Sequence, residues 1–441
     1  VRIRFNSIFK ISQTLIFHIF SNKKFNLLRS PPFSQKDITL EKAKIIDRDP
    51  LYGWVMVLAV FMLGALSFGI MGSISAFLKP LSNEFSWSRA STSFLYTIAS
   101  LGAAFFGVFW GFISDKYGTR LFGYIATVFM AGTLLLLSKQ TGLFEFYLLY
   151  FLFGAFGTAI VGSPLYANVG FWFKKNPGLA IGLSAAGGAA GQGIIPYIST
   201  QLIESNGWQA AYVYLALVYV IIMVPLSFLI KESPLRENAR KSATILPKTF
   251  PLSDKEVIIW ISIAVIFCCN CMAVPIVHLI PLLTDTGFSP KFASKVFMVL
   301  MFFGIFGRIF SGKLGDIIGA LPTYILMSVG QTISVLWFPY FQSSLSLYIL
   351  AAVFGFTYSG VMSAILVCAR MMVSANFAGR AMSFGSFFGW MGMGLGGFLG
   401  GYFYDLRGDY IWSYQFASAM GVINVIILLL LWLRIKKQAT M

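Results

Sequence analysis

One arginine stands out among the side chains of this sequence that could do chemistry, because it interrupts a long apolar run. Arg308 lies inside the run 293–313. An ionisable group in a run apolar enough to lie in a membrane is a functional candidate, since burying its charge in hydrocarbon costs about 2.5 to 3.5 kcal/mol. A guanidinium is permanently charged and planar, which suits a bidentate contact with an anion. The competing interpretation is an arginine that extends to the membrane interface or donates to a backbone carbonyl.

A second group of candidates could titrate or donate hydrogen bonds. His278 lies near the end of an apolar run, and Asp285 lies just beyond that run. Histidine titrates in the physiological range, so His278 is a candidate for proton coupling and for ligand binding. Asp285 is a second candidate for proton coupling, because its carboxylate can take up a proton. Tyr166, Asn168 and Tyr358 lie inside apolar runs and could hydrogen-bond a small anion. The competing interpretations are a packed histidine and polar groups that join neighbouring helices.

The sequence predicts neither a metal site nor a cofactor. Cys268, Cys271 and His278 share one helical face, but three ligands from one buried helix rarely close a metal site. The glycine-rich runs 187–193 and 392–397 resemble phosphate-binding loops only superficially, because no strand precedes them and no Lys-Ser/Thr follows. We interpret both runs as helix-packing faces.

Composition places these candidates in a membrane protein. Of 441 residues, 57% are hydrophobic and only 11% are charged, whereas soluble domains carry roughly 25% charged residues. The mean hydropathy is +0.78. These values exclude a soluble enzyme, a nucleic-acid-binding module and a disordered protein. The formal net charge of +17 is best explained by the membrane topology, because basic residues concentrate in cytoplasmic loops.

The apolar runs predict an all-α membrane protein with twelve transmembrane helices. The runs cover residues 53–78, 93–113, 121–138, 145–171, 178–202, 210–230, 257–282, 293–313, 322–341, 345–369, 380–403 and 411–433. They divide the chain into an N-terminal tail, a six-helix bundle, a central loop, a second six-helix bundle and a short C-terminal tail: 1–50, 51–230, 231–256, 257–434 and 435–441. Basic residues concentrate in the even-numbered loops, so both termini are predicted to be cytoplasmic. The basic N-terminal tail is interpreted as a disordered or dispensable cytoplasmic segment. The alternatives are a targeting peptide and an amphipathic helix that lies on the membrane surface.

The two predicted bundles are internal repeats related by an offset of 201 residues. The offset maps Pro80 to Pro281, Gly111 to Gly312, Asp115 to Asp316, Gly118 to Gly319, Gly154 to Gly355 and Gly191 to Gly392. Six spans return the chain to its starting side, so the repeats are parallel. Such repeats are typical of carriers whose halves rock around a site near the bilayer midplane.

The loop after the second run resembles the cytoplasmic signature of the major facilitator superfamily. Gly111, Asp115, Lys116 and Arg120 match that signature, and the second-half copy keeps Asp316 but lacks the basic residues. The resemblance implies the major facilitator fold and a conformational gating role for these five residues. Their physical chemistry agrees, because glycine permits close helix contact and the cations anchor the loop at the membrane surface.

Within that superfamily, the chain resembles the group of monocarboxylate transporters and oxalate/formate antiporters. The resemblance covers residues 53 to 434 and is carried by the segments 77–89, 172–182 and 278–289 and by Gly307-Arg308. It implies that Arg308 binds the substrate carboxylate. Where related mammalian carriers place a membrane aspartate that carries the proton, this chain has Gly304, so proton coupling through that position is not expected.

The sequence therefore predicts a secondary active transporter of small organic anions, driven by a gradient as a symporter or an antiporter. Its expected partners are the anion, a proton or counter-anion, and the lipid bilayer, and the carrier unit is expected to be monomeric in the plasma membrane. The alternatives are efflux of another amphiphilic small molecule and a transporter-like sensor. An embedded enzyme is not expected, because the spans hold almost no acid/base cluster.

Overall fold

The computed structural model describes residues 51–173, 177–234, 250–373 and 378–439, and within these ranges every regular element is a helix. The side chains at 115, 163, 177, 178, 316, 370, 378–380 and 439 lie outside the description. The predicted tail 1–50 and most of the predicted central loop, residues 235–249, also lie outside it.

Helices α1 to α6 form what we call the first half. They are α1 (Leu51–Phe85), α2 (Arg89–Tyr117), α3 (Phe122–Leu137), α4 (Leu143–Phe153 continued irregularly to Ser163–Gly170), and Pro177–Leu229, which Gly207 breaks into α5 (177–206) and α6 (208–229). The second half holds α7 (Asp254–Asp285), α8 (Pro290–Ile318), α9 (Ala320–Val335), α10 (Ser344–Met371), α11 (Ala378–Arg407) and α12 (Ile411–Ala439).

Within the described ranges, nine stretches are long and apolar enough to cross a membrane. One of them, Leu179–Leu229, includes both α5 and α6, because the break at Gly207 does not interrupt its hydropathy. Helix α3 is apolar but has only 16 residues, and α11 is not among the nine stretches. The predicted all-α architecture is thus confirmed for the described residues, and several of its helices are long and apolar enough to cross a membrane.

The helix ends follow from local sequence. Ser88 caps α2 by accepting from Ser91 N–H at 3.0 Å, and Ser289 caps α8 in the same way, as expected for serine at helix N-termini. At the C-terminal ends of the same helices, Gly118 and Gly319 have φ values of 85° and 97°. A side chain at either position would be strained, so glycine permits both turns.

Glycines related by the 201-residue offset make equivalent helix contacts in the two halves, as the caps do. A Cβ on Gly154 would lie 2.0 Å from the backbone oxygen of Ala99, and a Cβ on Gly355 would lie 1.8 Å from that of Leu300. Gly191 approaches the backbone of Ala65 equally closely, and Gly392 approaches that of Ile266. These glycines let α2 approach α4, α8 approach α10, α1 approach α5 and α7 approach α11. The predicted packing role of the glycine-rich runs is confirmed.

The two halves pack against each other through three pairs of helices: α2 with α11, α5 with α8 and α1 with α7. Thr97 Oγ1 donates to Gly394 O at 2.6 Å across the first pair, and Gly193 approaches Met301 across the second. Helices α3, α6, α9 and α12 pack on the outside of these pairs. A site between the halves is therefore built by α1, α2, α4, α5, α7, α8, α10 and α11.

Candidate functional site

A cavity of about 150 Å³ lies between the two halves. Its walls are mostly apolar and come from helices of both halves. The lining includes the aromatic, polar and charged residues Phe68, Tyr96, Tyr166, Gln192, Arg308, Tyr358 and Trp390. Helices of both halves therefore line a cavity whose described wall holds one positive charge.

Arg308 on α8 is buried, with 8% of its surface exposed, and its guanidinium lines the cavity. Nη1 donates to the backbone oxygen of Ala185 on α5, in the opposite half. Nε is buried and has no hydrogen-bond partner among the residues that the structure describes. No described carboxylate lies within ion-pair distance of this guanidinium or lines the cavity. The site thus presents a desolvated cation that lacks an anionic partner in the described chain.

Two tyrosines and a glutamine surround this cation. Tyr166 on α4 and Tyr358 on α10 line the same cavity as Arg308. Tyr358 also donates to Gln192 Oε1 at 3.3 Å, across the halves. An irregular segment of α4, a π turn over Gly154–Thr158 followed by a break at Gly162, precedes Tyr166. The structure therefore brings together three of the predicted substrate-binding residues: Arg308, Tyr166 and Tyr358.

An aromatic pair forms the wall beside the guanidinium. Phe68 on α1 and Trp390 on α11 stack across the halves, with ring centroids 5.6 Å apart and an interplanar angle of 24°. A Cβ on Gly188 would lie 3.3 Å from the Phe68 ring and 3.7 Å from Arg308 Nη1. The ring and the cation consequently flank the same point of the cavity wall.

Gly304 lies one turn before Arg308 and faces α10. A Cβ at this position would lie 2.4 Å from Ser359 Oγ, and that hydroxyl is buried without a hydrogen-bond partner in the described part of the chain. Gly307 similarly packs against the backbone of Phe356. Helices α8 and α10 are therefore too close at this level to accommodate a longer side chain without rearrangement.

Asn168 lies away from the cavity, at the end of α4, and it is fully buried. Its Nδ2 donates to Thr119 Oγ1 at 3.0 Å and to Lys231 O at 2.8 Å, and its Oδ1 accepts from Ser233 N–H at 3.0 Å. Glu232 Oε2 accepts from both donors of Thr119. These contacts join the α2–α3 loop, α4 and the segment after α6. They favour the structural alternative, while the role of Asn168 in substrate binding stays a prediction.

His278 on α7 also lies outside the cavity lining and is fully buried. Its Nε2 is 2.7 Å from the Gly397 oxygen, and its ring packs against Tyr410. Nδ1 has no hydrogen-bond partner among the described residues. The histidine thus belongs to the α7–α11 contact, with one ring nitrogen bonded and the other free.

Lys79, Arg89, Asp285 and Asp405 form what we call the gate cluster, at the end of the molecule where α1 is followed by α2. Asp285 Oδ1 lies 2.7 Å from Lys79 Nζ and 3.5 Å from Arg89 Nη2. Asp405 accepts from the backbone N–H of Arg89 at 3.0 Å and of Ala90 at 2.7 Å. These contacts join the ends of α7 and α11 to α1 and α2. The two halves are therefore held together at this end of the molecule.

At the opposite end, the structure describes three of the five predicted gating residues fully: Gly111, Lys116 and Arg120. A Cβ on Gly111 or Gly312 would meet no heavy atom of the described chain within 4 Å, so neither glycine makes a close helix contact there, and the gating role of Gly111 stays a prediction. Lys116 and Arg120 are exposed. The side chains of Asp115 and Asp316 lie outside the description. The ion pairs that join the ends of the two halves in the described chain therefore lie at the gate cluster.

Sequence reasoning missed Gln192, Phe68, Trp390 and Asp405 as parts of these sites. Gln192 is the polar residue inside the glycine-rich run 187–193, which was a usable signal. Phe68 and Trp390 had none, because aromatic residues make up 17% of the chain. Asp405 was not recognised because its partners are backbone groups of a distant helix.

Comparison with known proteins agrees with this architecture. The family model described as Major Facilitator Superfamily matches residues 57–341 and again 259–440. Monocarboxylate transporter 13 of Rattus norvegicus is 26% identical over 381 residues, which cover 83% of this chain and 86% of that protein. The fujikurins efflux protein of Gibberella fujikuroi is 28% identical over 72% of this chain and 69% of that protein. The riboflavin transporter of Trypanosoma brucei brucei is 30% identical over 36% of this chain and 30% of that protein.

The predicted resemblance is confirmed by both kinds of comparison. The superfamily model covers most of the described chain, and the rat and Bos taurus proteins named monocarboxylate transporter 13 match more than four-fifths of it. The names of the matched proteins are those of transporters, in agreement with the expectation that the chain is not an embedded enzyme. This chain is a transporter that belongs to the Major Facilitator Superfamily and resembles its monocarboxylate transporter group.

Proposed function

We propose that this chain is a secondary active transporter of small organic anions, monocarboxylates or dicarboxylates, that works by alternating access. The observation that carries the proposal is Arg308, a buried cation that lines a cavity between the halves without a carboxylate partner in the described chain. An uncompensated charge in an apolar site is costly. A bound carboxylate compensates it and gains charge-assisted hydrogen bonds.

The proposed architecture is twelve membrane crossings in two six-helix bundles, residues 51–230 and 257–434, joined by a cytoplasmic loop at 231–256. Twelve helices separated by turns or breaks, together with the repeat contacts, support this count. Basic loops support cytoplasmic termini. We place the carrier in the plasma membrane as a monomeric unit, with the lipid bilayer as its surroundings.

The structure corresponds in this proposal to the inward-facing conformation. The gate cluster lies at the predicted outer end, where the halves are joined by ion pairs, and the predicted cytoplasmic ends of α2 and α8 face open space at Gly111 and Gly312. Rocking of the halves would open the gate cluster and close the other end around Asp115, Lys116 and Arg120. The cavity at Arg308 would then face the outside.

Charge on the substrate is balanced in this proposal by a cotransported proton or by a counter-transported anion. Gly304 supplies no carboxylate near Arg308, so a proton would have to use His278 or Asp285. His278 has a free buried ring nitrogen, as described above. Asp285 is ion-paired with Lys79 and would lose that partner when the gate opens.

The test is binding and counterflow of radiolabelled carboxylates with Arg308→Ala and Arg308→Lys in proteoliposomes. Charge-assisted hydrogen bonds are worth about 1.5 to 3 kcal/mol each, so the alanine variant should bind at least tenfold more weakly. Lysine keeps the charge without the planar fork and should restore only part of the affinity. Arg434→Ala is the matched control, because Arg434 is exposed and pairs with Glu256 far from the cavity. Parental affinity in a folded Arg308→Ala protein would refute the proposal.

The second candidate function is efflux of a larger amphiphilic molecule. It is favoured by the aromatic and apolar lining of the cavity and by the similarity to the fujikurins efflux protein. This alternative predicts transport of uncharged amphiphiles that survives Arg308→Ala. The same counterflow assay with neutral and anionic substrates separates the two functions.

A further inference from the structure

We propose that the ligand of the central cavity is a flat aromatic monocarboxylate of about the size of benzoate. Its carboxylate would pair with Arg308, and its ring would lie along the face of the Phe68–Trp390 pair. This inference rests on the proposed function, namely that the cavity holds an organic anion, and it narrows the substrate class.

The charge of the cavity selects one carboxylate. Arg308 is the one residue charged at neutral pH among the described residues that line the cavity. A second carboxylate on the ligand would face apolar side chains and lose its hydration without a compensating partner. Nearby hydroxyl and amide groups, such as those of Tyr166 and Gln192, complement one anionic head group. Dicarboxylates are therefore disfavoured.

The aromatic wall selects the body of the ligand. Phe68 and the Arg308 guanidinium flank the same point at Gly188, so the atoms next to a bound carboxylate lie beside the Phe68–Trp390 stack. Tyr96 adds a further aromatic face to the lining. Aromatic rings pack favourably on such surfaces in offset or edge-to-face geometry, with a gain beyond the buried area of roughly two- to tenfold in affinity.

The volume of the cavity matches a ligand with a single ring. The cavity measures about 150 Å³, and an engineered apolar cavity of that volume in another protein holds one benzene ring. A short aliphatic acid would leave much of the aromatic wall uncovered. A single ring with one carboxylate matches the charge, the wall and the volume together.

The test is equilibrium binding to the purified full chain in detergent, measured by isothermal titration calorimetry with five probes. Benzoate should bind tightest. Benzamide, which lacks the charge, and terephthalate, which carries a second one, should each bind at least tenfold more weakly. Cyclohexanecarboxylate, which has the same charge and nearly the same size without a flat ring, and lactate should bind several-fold more weakly than benzoate.

Variants separate the aromatic wall from the charge. Trp390→Leu and Phe68→Leu should each bring the affinities for benzoate and cyclohexanecarboxylate to within twofold of one another, and the second variant serves if the first does not fold. Trp412→Leu is the matched control, because Trp412 lies at the start of α12 against Arg407 and its loss should keep the preference for benzoate.

The outcomes distinguish this inference from the proposed function. Carboxylates that all bind through Arg308 without a preference for benzoate, or with terephthalate equal to benzoate, would overturn the aromatic monocarboxylate and leave the anion carrier standing. Benzamide that binds as tightly as benzoate, together with unchanged binding by Arg308→Ala, would overturn both.

Discussion

The carboxylate of Asp405 caps α2 from the opposite half, and its removal should shift the conformational equilibrium of the carrier. The first N–H groups of a helix have no partner within the helix. Here Asp405 accepts from those of Arg89 and Ala90, while Ser88 accepts from the third. Asp405→Ala removes an acceptor that these two donors have only while the halves are together, because Asp405 belongs to the opposite half; in the opened form they bond to water in the parent and the variant alike.

The magnitude follows from the two contacts. Replacing a helix-capping aspartate by alanine costs about 0.5 to 2 kcal/mol, and here that cost applies to the conformation in which the gate cluster is closed. A loss of about 0.5 to 2 kcal/mol changes a two-state ratio by a factor of about 2 to 30. If about 1% of the parent protein is open at this end, the variant should be open in roughly 2 to 25% of molecules.

The assay is the distance distribution between spin labels on Asn83→Cys and Lys291→Cys, measured by pulsed electron resonance in nanodiscs. Both positions are exposed, lie near the gate cluster and belong to opposite halves. The four native cysteines are buried, so a bulky polar label should react slowly with them. Asp405→Asn keeps an acceptor oxygen without the charge and should produce a smaller shift than alanine.

The control is Asp409→Ala. Asp409 Oδ1 accepts from the Ile411 N–H at 2.8 Å, so it also caps a helix in the neighbouring loop, but both partners belong to the second half. Its loss should lower thermal stability and leave the distance distribution unchanged. An unchanged distribution in Asp405→Ala, or an equal shift in both variants, would refute the reasoning.

Three further predictions concern packing, coupling and topology. Gly191→Ala should lower the melting temperature strongly, because its Cβ would lie 1.7 Å from the Ala65 backbone oxygen, whereas Gly182→Ala meets open space and should be neutral. His278→Gln tests whether His278 or Asp285 carries a cotransported proton: a proton taken up at Nδ1 of His278, which has no hydrogen-bond partner among the described residues, predicts a flattened pH profile of transport, and an unchanged profile would remove His278 from the coupling. A reporter that works only in the cytoplasm should be active when it is fused after Lys437, and a reporter that works only outside the membrane should be inactive there.

Much of the fold could be predicted because its determinants are local. The apolar runs agree with the helices to within a few residues at most ends, since the requirement to satisfy backbone groups in hydrocarbon leaves the helix as the available structure. The serine caps at 88 and 289 and the glycine turns at 118 and 319 repeat the same local solutions at one offset. Arg308 was identifiable for the same reason, because a charge inside an apolar run is expensive wherever the chain folds.

The composition of the candidate site could be predicted only in part. Tyr166 and Tyr358 were polar residues in apolar runs, and both line the cavity. Asn168 and His278 carried the same signal, yet their partners are Thr119 and Gly397 in their own halves. Hydropathy reports that a polar group is buried, but it does not report whether the group faces a cavity or a neighbouring helix.

The sequence by itself determined the helices, the membrane environment and the cation Arg308 within an apolar run, because each depends on residues close together in the chain. The repeat was readable because the same local patterns recur at one offset. Only the tertiary structure decided that Gln192 meets Tyr358, that Phe68 stacks on Trp390 and that Asp405 caps α2. These contacts join residues 166 to 322 positions apart and depend on how the two halves are placed against each other. That placement arises from the summed packing of several helix pairs and leaves no local pattern in the sequence.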